Sequence, residues 1–510
     1  MPVGQVFLVG AGPGDPGLMT LLAQSALRNA QTVVYDQLVH RRILDWIPAD
    51  AHRIFVGKRR GHHEMPQNEI NAVLCLEALK GRTVVRLKGG DPYVFGRGAE
   101  EAEALFSAGI PFRVIPGVTA GIGALAYAGF PVTHREHASA VTFVTGHDDP
   151  DSPSCRVDWA WYAKFRGTIV IYMGMTRRAR IAQILIQNGM DSETPVALVE
   201  RGSWSDQRVE TGTLHQLEDT KHSWSVNAPA LIMIGDVVRL RPKLDWWSRL
   251  PLSGRKVLIT RPEEDSRTTE MKFESLGADV FVAPAIRVGR IEDRTGLDDA
   301  LNSLHRFDWI VWTSSNGVRF FFERLFELGL DLRALGHVKL AVIGPATADA
   351  LKQFGLKADI VPDAYRSEEL ADALVPIVSG KRVLLARANR GRTVLMDRLS
   401  PVANEVRQVA VYSNDDADHW PEEIEKLLKL DRIDWVTLTS SAIARRFAAL
   451  YASSHPDSES KRIKFASISP VTSAAAREAG IEPTVEAKSF IIEGLIEAIL
   501  EFEHQKTGDE

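Results

Sequence analysis

Apolar residues follow two rhythms along this chain. Short runs rich in Val, Ile and Leu, at 6–9, 32–35, 84–87, 257–260, 309–313 and 340–344, read as buried strands. Segments such as 317–328 and 347–355 instead repeat their apolar positions every three or four residues and read as helices that cover those strands. In the second half the pattern itself recurs. GRKVLITR at 254–261 returns as GKRVLLAR at 380–387, and DWIVWTSS at 308–315 returns as DWVTLTSS at 434–441 with the same displacement. KLAVIGPAT at 339–347 has a weaker echo in KFASISPVT at 464–472. Matches in register mark an internal repeat, which predicts two similar lobes, each a parallel sheet under helices. A chain of 510 residues is too long for one core. The stretch 239–254 contains prolines and lacks periodicity, so the junction falls near Leu250, giving domains 1–250 and 251–510. Trp246 and Trp247 in that stretch are expected to pack the end of the first domain.

Three glycine-rich turns follow the strands of the first half: VFLVGAGPGDPG at 6–17, VVRLKGGDPYVFGRG at 84–98 and RVIPGVTAGIGALAYAGFPVTHR at 113–135. A strand that runs into such a turn brings bare backbone N–H groups to a sheet's edge, where flat or charged small molecules are held. The first turn, with Asp36 at the end of the next strand, invites a dinucleotide reading. It fails on spacing, because Gly10, Gly12 and Gly14 are followed by Asp15 and Pro16, which stop a helix from starting where a pyrophosphate would sit.

Composition adds mostly exclusions. With 45% apolar and 25% charged residues the composition is that of an ordinary globular enzyme, so neither disorder nor a fibrous fold is expected. No apolar run reaches the length of a membrane span, no targeting segment is expected, and two cysteines, Cys75 and Cys155, are too few for a disulfide scaffold or a cysteine-based metal site. A reducing cytoplasm is the expected compartment. A net charge of −5 argues against nucleic acid. Basic residues nevertheless gather near the turns (Lys58, Arg59 and Arg60, Arg86 and Lys88, His134 and Arg135, Arg177, Arg178 and Arg180), which suits a small polyanion as well as a solvated surface.

GAGPGDPGLMT, VVYDQLV at 33–39, VGKR at 56–59, RLKGGDPYVFGRG, PGVTAG, AYAGFPVTHR, TGH at 145–147, YMG at 172–174 and PALIMIGDVV at 229–238 come in the order and spacing of the tetrapyrrole methylases. Over about its first 245 residues the chain closely resembles uroporphyrinogen-III C-methyltransferases. The resemblance implies a two-domain methylase fold, a dimethylated reduced macrocycle as product (precorrin-2, on the way to sirohaem or cobalamin), and S-adenosylmethionine as methyl donor without a metal. It also implies a homodimer. By position, Asp36 is implied as proton acceptor and Lys58 as proton donor. Pro13, Gly89, Gly90, Asp91, Val94, Thr119, Ala120, Met173 and Gly202 are implied as the groups around the donor, Gly202 lying in a less typical segment. Read from residues alone, Asp36 is equally a strand-end acid capping the next turn, Lys58 a surface cation, and Asp91 with Pro92 a tight turn.

TRPEEDS at 260–266, WTSSNGVRFF, VIGPATADAL, YRSEELADAL at 365–374, RANRGRTVLMDRL at 387–399 and VAVYSN at 409–414 resemble uroporphyrinogen-III synthases over about 252–505. That family closes linear hydroxymethylbilane with inversion of its last pyrrole. The resemblance implies a bilobal, internally duplicated α/β fold in which the chain leaves one lobe, builds the other and returns, so the repeat boundary near Gly380 need not separate the lobes. Donors to carboxylates should line the site. Tyr412 is the candidate acid or a packing residue. Thr313, Ser314, Thr347, Thr439 and Ser440 are candidate substrate anchors, set at helix N-termini where anions bind. Arg261, Arg387 and Arg392 either grip carboxylates or form surface ion pairs. Both halves together predict a bifunctional enzyme; the alternative is a methyltransferase fused to a non-catalytic tetrapyrrole-binding sensor.

Overall fold

A computed structural model describes residues 2–57, 65–363, 366–391, 393–454 and 463–507. It divides into two compact units, Met1–Arg255 with Phe273–Asp279, and Lys256–Lys272 with Val280–Glu510. Lys58, Arg59, Arg60, Tyr365 and Arg392 lie outside the described residues.

The first unit begins with strands β1 (Val6–Gly10), β2 (Thr32–Tyr35), β3 (His52–Phe55), β4 (Val84–Lys88) and β5 (Phe112–Ile115), ordered β3-β2-β4-β1-β5 with every pair parallel. Their side chains alternate between two cores. Val9, Val33 and Leu87 pack with Leu27 on one face, while Leu8, Val34 and Val84 pack with Leu74 and Leu105 on the other. Burial on both faces is what near-continuous apolar runs encode in a parallel sheet. The unit's second sheet holds β6 (Val141–Thr145), β7 (Thr168–Tyr172), β8 (Pro195–Glu200), β9 (Arg208–Thr213) and β10 (Ala230–Ile234), ordered β6-β7-β10-β8-β9. Only β6 and β7 run parallel there; β10 and β9 pair antiparallel with their neighbours. Trp246 and Trp247 pack on Tyr127, with ring centroids 5.0 and 4.8 Å away.

The second unit contains β11 (Lys256–Ile259), β12 (Asp279–Val282), β13 (Ile286–Gly289), β14 (Trp309–Trp312), β15 (Lys339–Val342), β16 (Arg382–Ala388), β17 (Glu405–Asp416), β18 (Trp435–Leu438), β19 (Lys464–Ser467) and β20 (Val485–Glu486). They form two sheets, β12-β11-β18-β19-β20 and β13-β17-β16-β14-β15. The two copies of the repeat are interchanged. β11, from the first copy, pairs with β18 of the second, and β16, which opens the second copy, pairs with β14 of the first. Each lobe therefore draws on both copies. One departure from an all-parallel expectation is β13, which pairs antiparallel with β17 where the chain crosses from one sheet into the other. The β14 lobe is held by Trp312, Phe321, Phe322 and Leu384, all fully buried. Each such side chain contributes roughly 1.5–3 kcal/mol by leaving water.

Candidate active sites

β1, β4 and β5 end side by side, and the turns after them meet backbone to backbone. Gly12 and Gly90 exchange N–H···O bonds of 3.2 and 2.7 Å, each with a positive φ (+78° and +68°). A Cβ on Gly117 would sit 2.3 Å from the Gly90 carbonyl oxygen, so no side chain fits there. At Gly90 an added Cβ would meet nothing nearer than Ala120 N at 3.8 Å, so the space beside it is bordered by Thr119 and Ala120. Asp91 does act as a turn residue: Oδ1 accepts from Tyr93 N (2.8 Å) and Oδ2 from Gly117 N (3.0 Å), tying the β4 turn to the β5 turn. Gly89 lies against Leu38, and half-buried Val94 lies within the same turn.

The second sheet reaches this edge through two aromatic residues, Tyr172 of the YMG motif and Trp204, that were not among the expected site residues. The Tyr172 Oη, at the end of β7, accepts from Gly121 N (2.5 Å) and lies 2.7 Å from Thr119 Oγ1, which fastens the start of the helix Ala120–Tyr127. Burial raises the Tyr172 phenol above its ordinary pKa. Met173 follows with φ +57° and stays half exposed, an uncommon backbone for a non-glycine residue. Gly202 is pressed on the same helix, where a Cβ would lie 2.4 Å from that of Ala124. Trp204 Nε1 donates to the Pro13 carbonyl (2.9 Å), joining the Gly202 segment to the first turn. The structure thus gathers Pro13, Gly89, Gly90, Asp91, Val94, Thr119, Ala120, Met173 and Gly202 around one edge.

Asp36 stands beside this edge at the end of β2. Its Oδ1 caps the next turn, accepting from Leu38 N (3.1 Å), and its Oδ2 accepts from Arg86 Nη2 (3.2 Å). Arg86 also donates through Nε to Glu101 Oε1 (3.0 Å), and the same oxygen accepts from Lys88 Nζ (3.0 Å). Arg86, Lys88 and Glu101 are buried, so the acid rests on a desolvated network of two cations and a carboxylate. Burial, then the Arg86 charge, pulls the Lys88 ammonium below its ordinary pKa, and Glu101 opposes this. The signal for this network was present as two charges inside the strand VVRLK, since buried cations require partners. His134, Glu136 and His137 bring ligand atoms within 4.8 Å of one another on a separate, largely exposed turn.

In the second unit the candidate anchors fall in two groups. Thr313 and Ser314 follow β14, and Thr347 is buried in the first turn of the helix Pro345–Lys352. Thr439 and Ser440 follow β18 in the other lobe. Both serines serve as helix caps: Ser314 Oγ accepts from Gly317 N (2.9 Å) and Ser440 Oγ from Ile443 N (3.2 Å). The lobes repeat a further tie, Ser315 Oγ to Ala346 O (3.0 Å) and Ser441 Oγ to Val471 O (3.3 Å), which sets two helix N-termini side by side in each. Tyr412 is 7% exposed, stacks on Phe320, and has its Oη 3.1 Å from Ser314 Oγ. Arg261 is half-buried and donates to Thr269 Oγ1 (3.3 Å), whereas Arg387 is buried at the end of β16.

Residues 5–218 match the family model "Tetrapyrrole (Corrin/Porphyrin) Methylases", and residues 267–497 match "Uroporphyrinogen-III synthase HemD". The chain is 35% identical to a porphyrin biosynthesis protein HemD of Ruminiclostridium josui, a match covering 98% of each chain. It is 53% identical over 237 residues to an S-adenosyl-L-methionine-dependent uroporphyrinogen III methyltransferase of Methanosarcina barkeri, covering 46% of this chain and 93% of the other. It is also similar to a crystal structure of uroporphyrin III C-methyltransferase from Thermus thermophilus, with 39% identity, 46% and 94% coverage, and a TM-score of 0.40.

Proposed function

Because the chain belongs to the tetrapyrrole methylase family over residues 5–218 and to the uroporphyrinogen-III synthase family over residues 267–497, we propose that it is a bifunctional tetrapyrrole enzyme. Its second half, from about residue 251, closes hydroxymethylbilane to uroporphyrinogen III with inversion of the last pyrrole. Its first half, to about residue 250, then adds two methyl groups to give precorrin-2. The observation that carries the methyl-transfer reading is the glycine edge of β1, β4 and β5 with Asp36 on Arg86 beside it.

The space beside Gly90 fits a small methyl donor, because the backbone of Gly90, Thr119 and Ala120 borders it and no side chain fills it. S-adenosylmethionine supplies an already electrophilic methyl group, so this reading calls for no metal. Pro13, Gly89, Gly90, Asp91, Val94, Thr119, Ala120, Met173 and Gly202 hold and orient the donor, a polarizable thioether at Met173 suiting a flat base. Asp36 takes the proton released at the pyrrole, with Arg86 holding its carboxylate in place. Lys58 is assigned as the proton donor. In the synthase half Tyr412 is assigned as the acid that assists hydroxide departure. Thr313, Ser314, Thr347, Thr439 and Ser440 anchor carboxylates around it.

A relative that matches 98% of the chain, and a synthase model that matches its second half, favour catalysis there over a sensor. The methylase half pairs with a second copy by family analogy. Among the described residues no helix is long and apolar enough to cross a membrane. A cytoplasmic site for the protein belongs to the same reading, and its two cysteines are unpaired. The deciding experiment is anaerobic incubation with hydroxymethylbilane, with and without S-adenosylmethionine, followed by oxidation and analysis of mass and isomer. Isomer III without donor and a dimethylated product with it are expected. Isomer I alone would overturn the synthase half of the reading.

A further inference from the structure

His134, Glu136 and His137 belong to one tight turn whose backbone is closed on itself. His134 and Ala138 form an antiparallel bridge with two N–H···O bonds of 2.9 Å, and His137 N donates to the His134 carbonyl (3.2 Å). The closed turn brings three metal-binding side chains together. One ligand atom from each lies within 4.8 Å of the other two, and the imidazole rings are 4.8 Å apart between centroids. Among the described residues neither the Glu136 carboxylate nor the His137 ring has a hydrogen bond or an ion pair, while His134 Nδ1 accepts from Glu136 N (3.2 Å). A solvated turn has no need to gather two imidazoles and a carboxylate; a cation gives them a common partner.

The surroundings leave room for one. Glu136 and His137 line a polar cleft of about 780 Å³, together with Lys164, Arg166, Asp191 and Asp236. The cleft is separate from the glycine edge. The turn precedes β6, whose far end, Thr145, pairs with Tyr172, and the five residues of that strand span roughly 13 Å.

We infer that His134, Glu136 and His137 form a binding site for a divalent transition metal ion of the zinc class, with a fourth position open to the cleft. Two imidazoles and one carboxylate are a zinc-type donor set, and imidazole selects such ions over magnesium or calcium. At metal–ligand bonds of about 2.0–2.2 Å, tetrahedral ligands lie roughly 3.4 Å apart, so the cluster has to close by no more than roughly 1.4 Å. Rotamer changes of the exposed Glu136 and His137 side chains supply that movement. Binding through His134 Nδ1 displaces one long hydrogen bond, from Glu136 N. The ion takes no part in methyl transfer, which calls for none, and the inference is independent of both proposed activities.

The test is calorimetric titration of the metal-free full-length chain with Zn2+, with Co2+ absorption spectra as a second readout. The wild-type chain is expected to bind one more Zn2+ per chain than His137→Ala, and Glu136→Gln to weaken that binding by more than about tenfold, the loss of a direct ligand exceeding that of an outer partner. Melting temperatures without metal establish that each variant is folded. His137→Cys exchanges one ligand for another, so it is expected to keep the ion and to add a thiolate-to-cobalt charge-transfer band absent from the wild-type spectrum. Equal zinc stoichiometry and affinity in the wild-type chain and folded His137→Ala would overturn the site. Should His137→Ala fail to fold, a His137→Cys spectrum without the new band overturns it instead.

Discussion

Asp36 shows how a single residue carries two readings at once. One of its oxygens caps a turn, as a strand-end acid does, and the other sits on Arg86, as a positioned base would. Asp36→Ala is expected to abolish methyl transfer and leave ring closure intact; methylation at the wild-type rate would remove Asp36 from the mechanism. Tyr412→Phe is expected to slow inverted closure without altering methylation of supplied uroporphyrinogen III, and an unchanged closure rate would return Tyr412 to packing on Phe320. His40 sets a pH dependence. Burial, followed by the charges of Arg41, Arg42 and Arg201, pulls its imidazole from 6.5 to about 3, and its ring lies 4.5 Å from that of Trp204. The unfolded chain therefore binds a proton that the folded chain refuses between pH 6.5 and about 3. Stability from this group is intact above that window and falls by about 1.4 kcal/mol per pH unit on descending through it. His40→Gln should flatten that part of a melting-temperature profile against pH.

At the scale of elements, the chemistry lies at strand ends and helix starts. The three glycine turns were legible because only glycine allows backbone on backbone, as at Gly117 against Gly90. Gly117→Ala should weaken S-adenosylmethionine binding by calorimetry and leave closure untouched; undiminished binding would mean that the turn contact is not needed. The Thr-Ser-Ser turns were legible too, since a strand followed by hydroxyls and an amphipathic segment encodes an N-cap. Ser314→Ala should cost about 1 kcal/mol of stability in the synthase unit, read from denaturant melts. The network of Arg86, Lys88 and Glu101 was not legible in full. The two cations stood out inside an apolar run, but their partner lies on the next helix, Gly98–Ser107, among other surface-like acids.

At the scale of the whole molecule, two activities on one chain predict complementation. Mixed Asp36→Ala and Tyr412→Phe proteins should together convert hydroxymethylbilane to dimethylated product, with free uroporphyrinogen III appearing between the steps; no product from the mixture would mean that the intermediate must stay on one chain. The residues by themselves determined the α/β class, the repeat, the three turns and both families, because strand and helix periodicity, glycine geometry and motif spacing are short-range properties. They showed which segments of the repeat are alike, but not that β11 would pair with β18 and β16 with β14. Nor did they show that Glu101 unites two cations, or that the Tyr412 hydroxyl would lie 3.1 Å from Ser314 Oγ. Tertiary structure decided those points, because strand partners, desolvation and charge pairing depend on which distant segments meet.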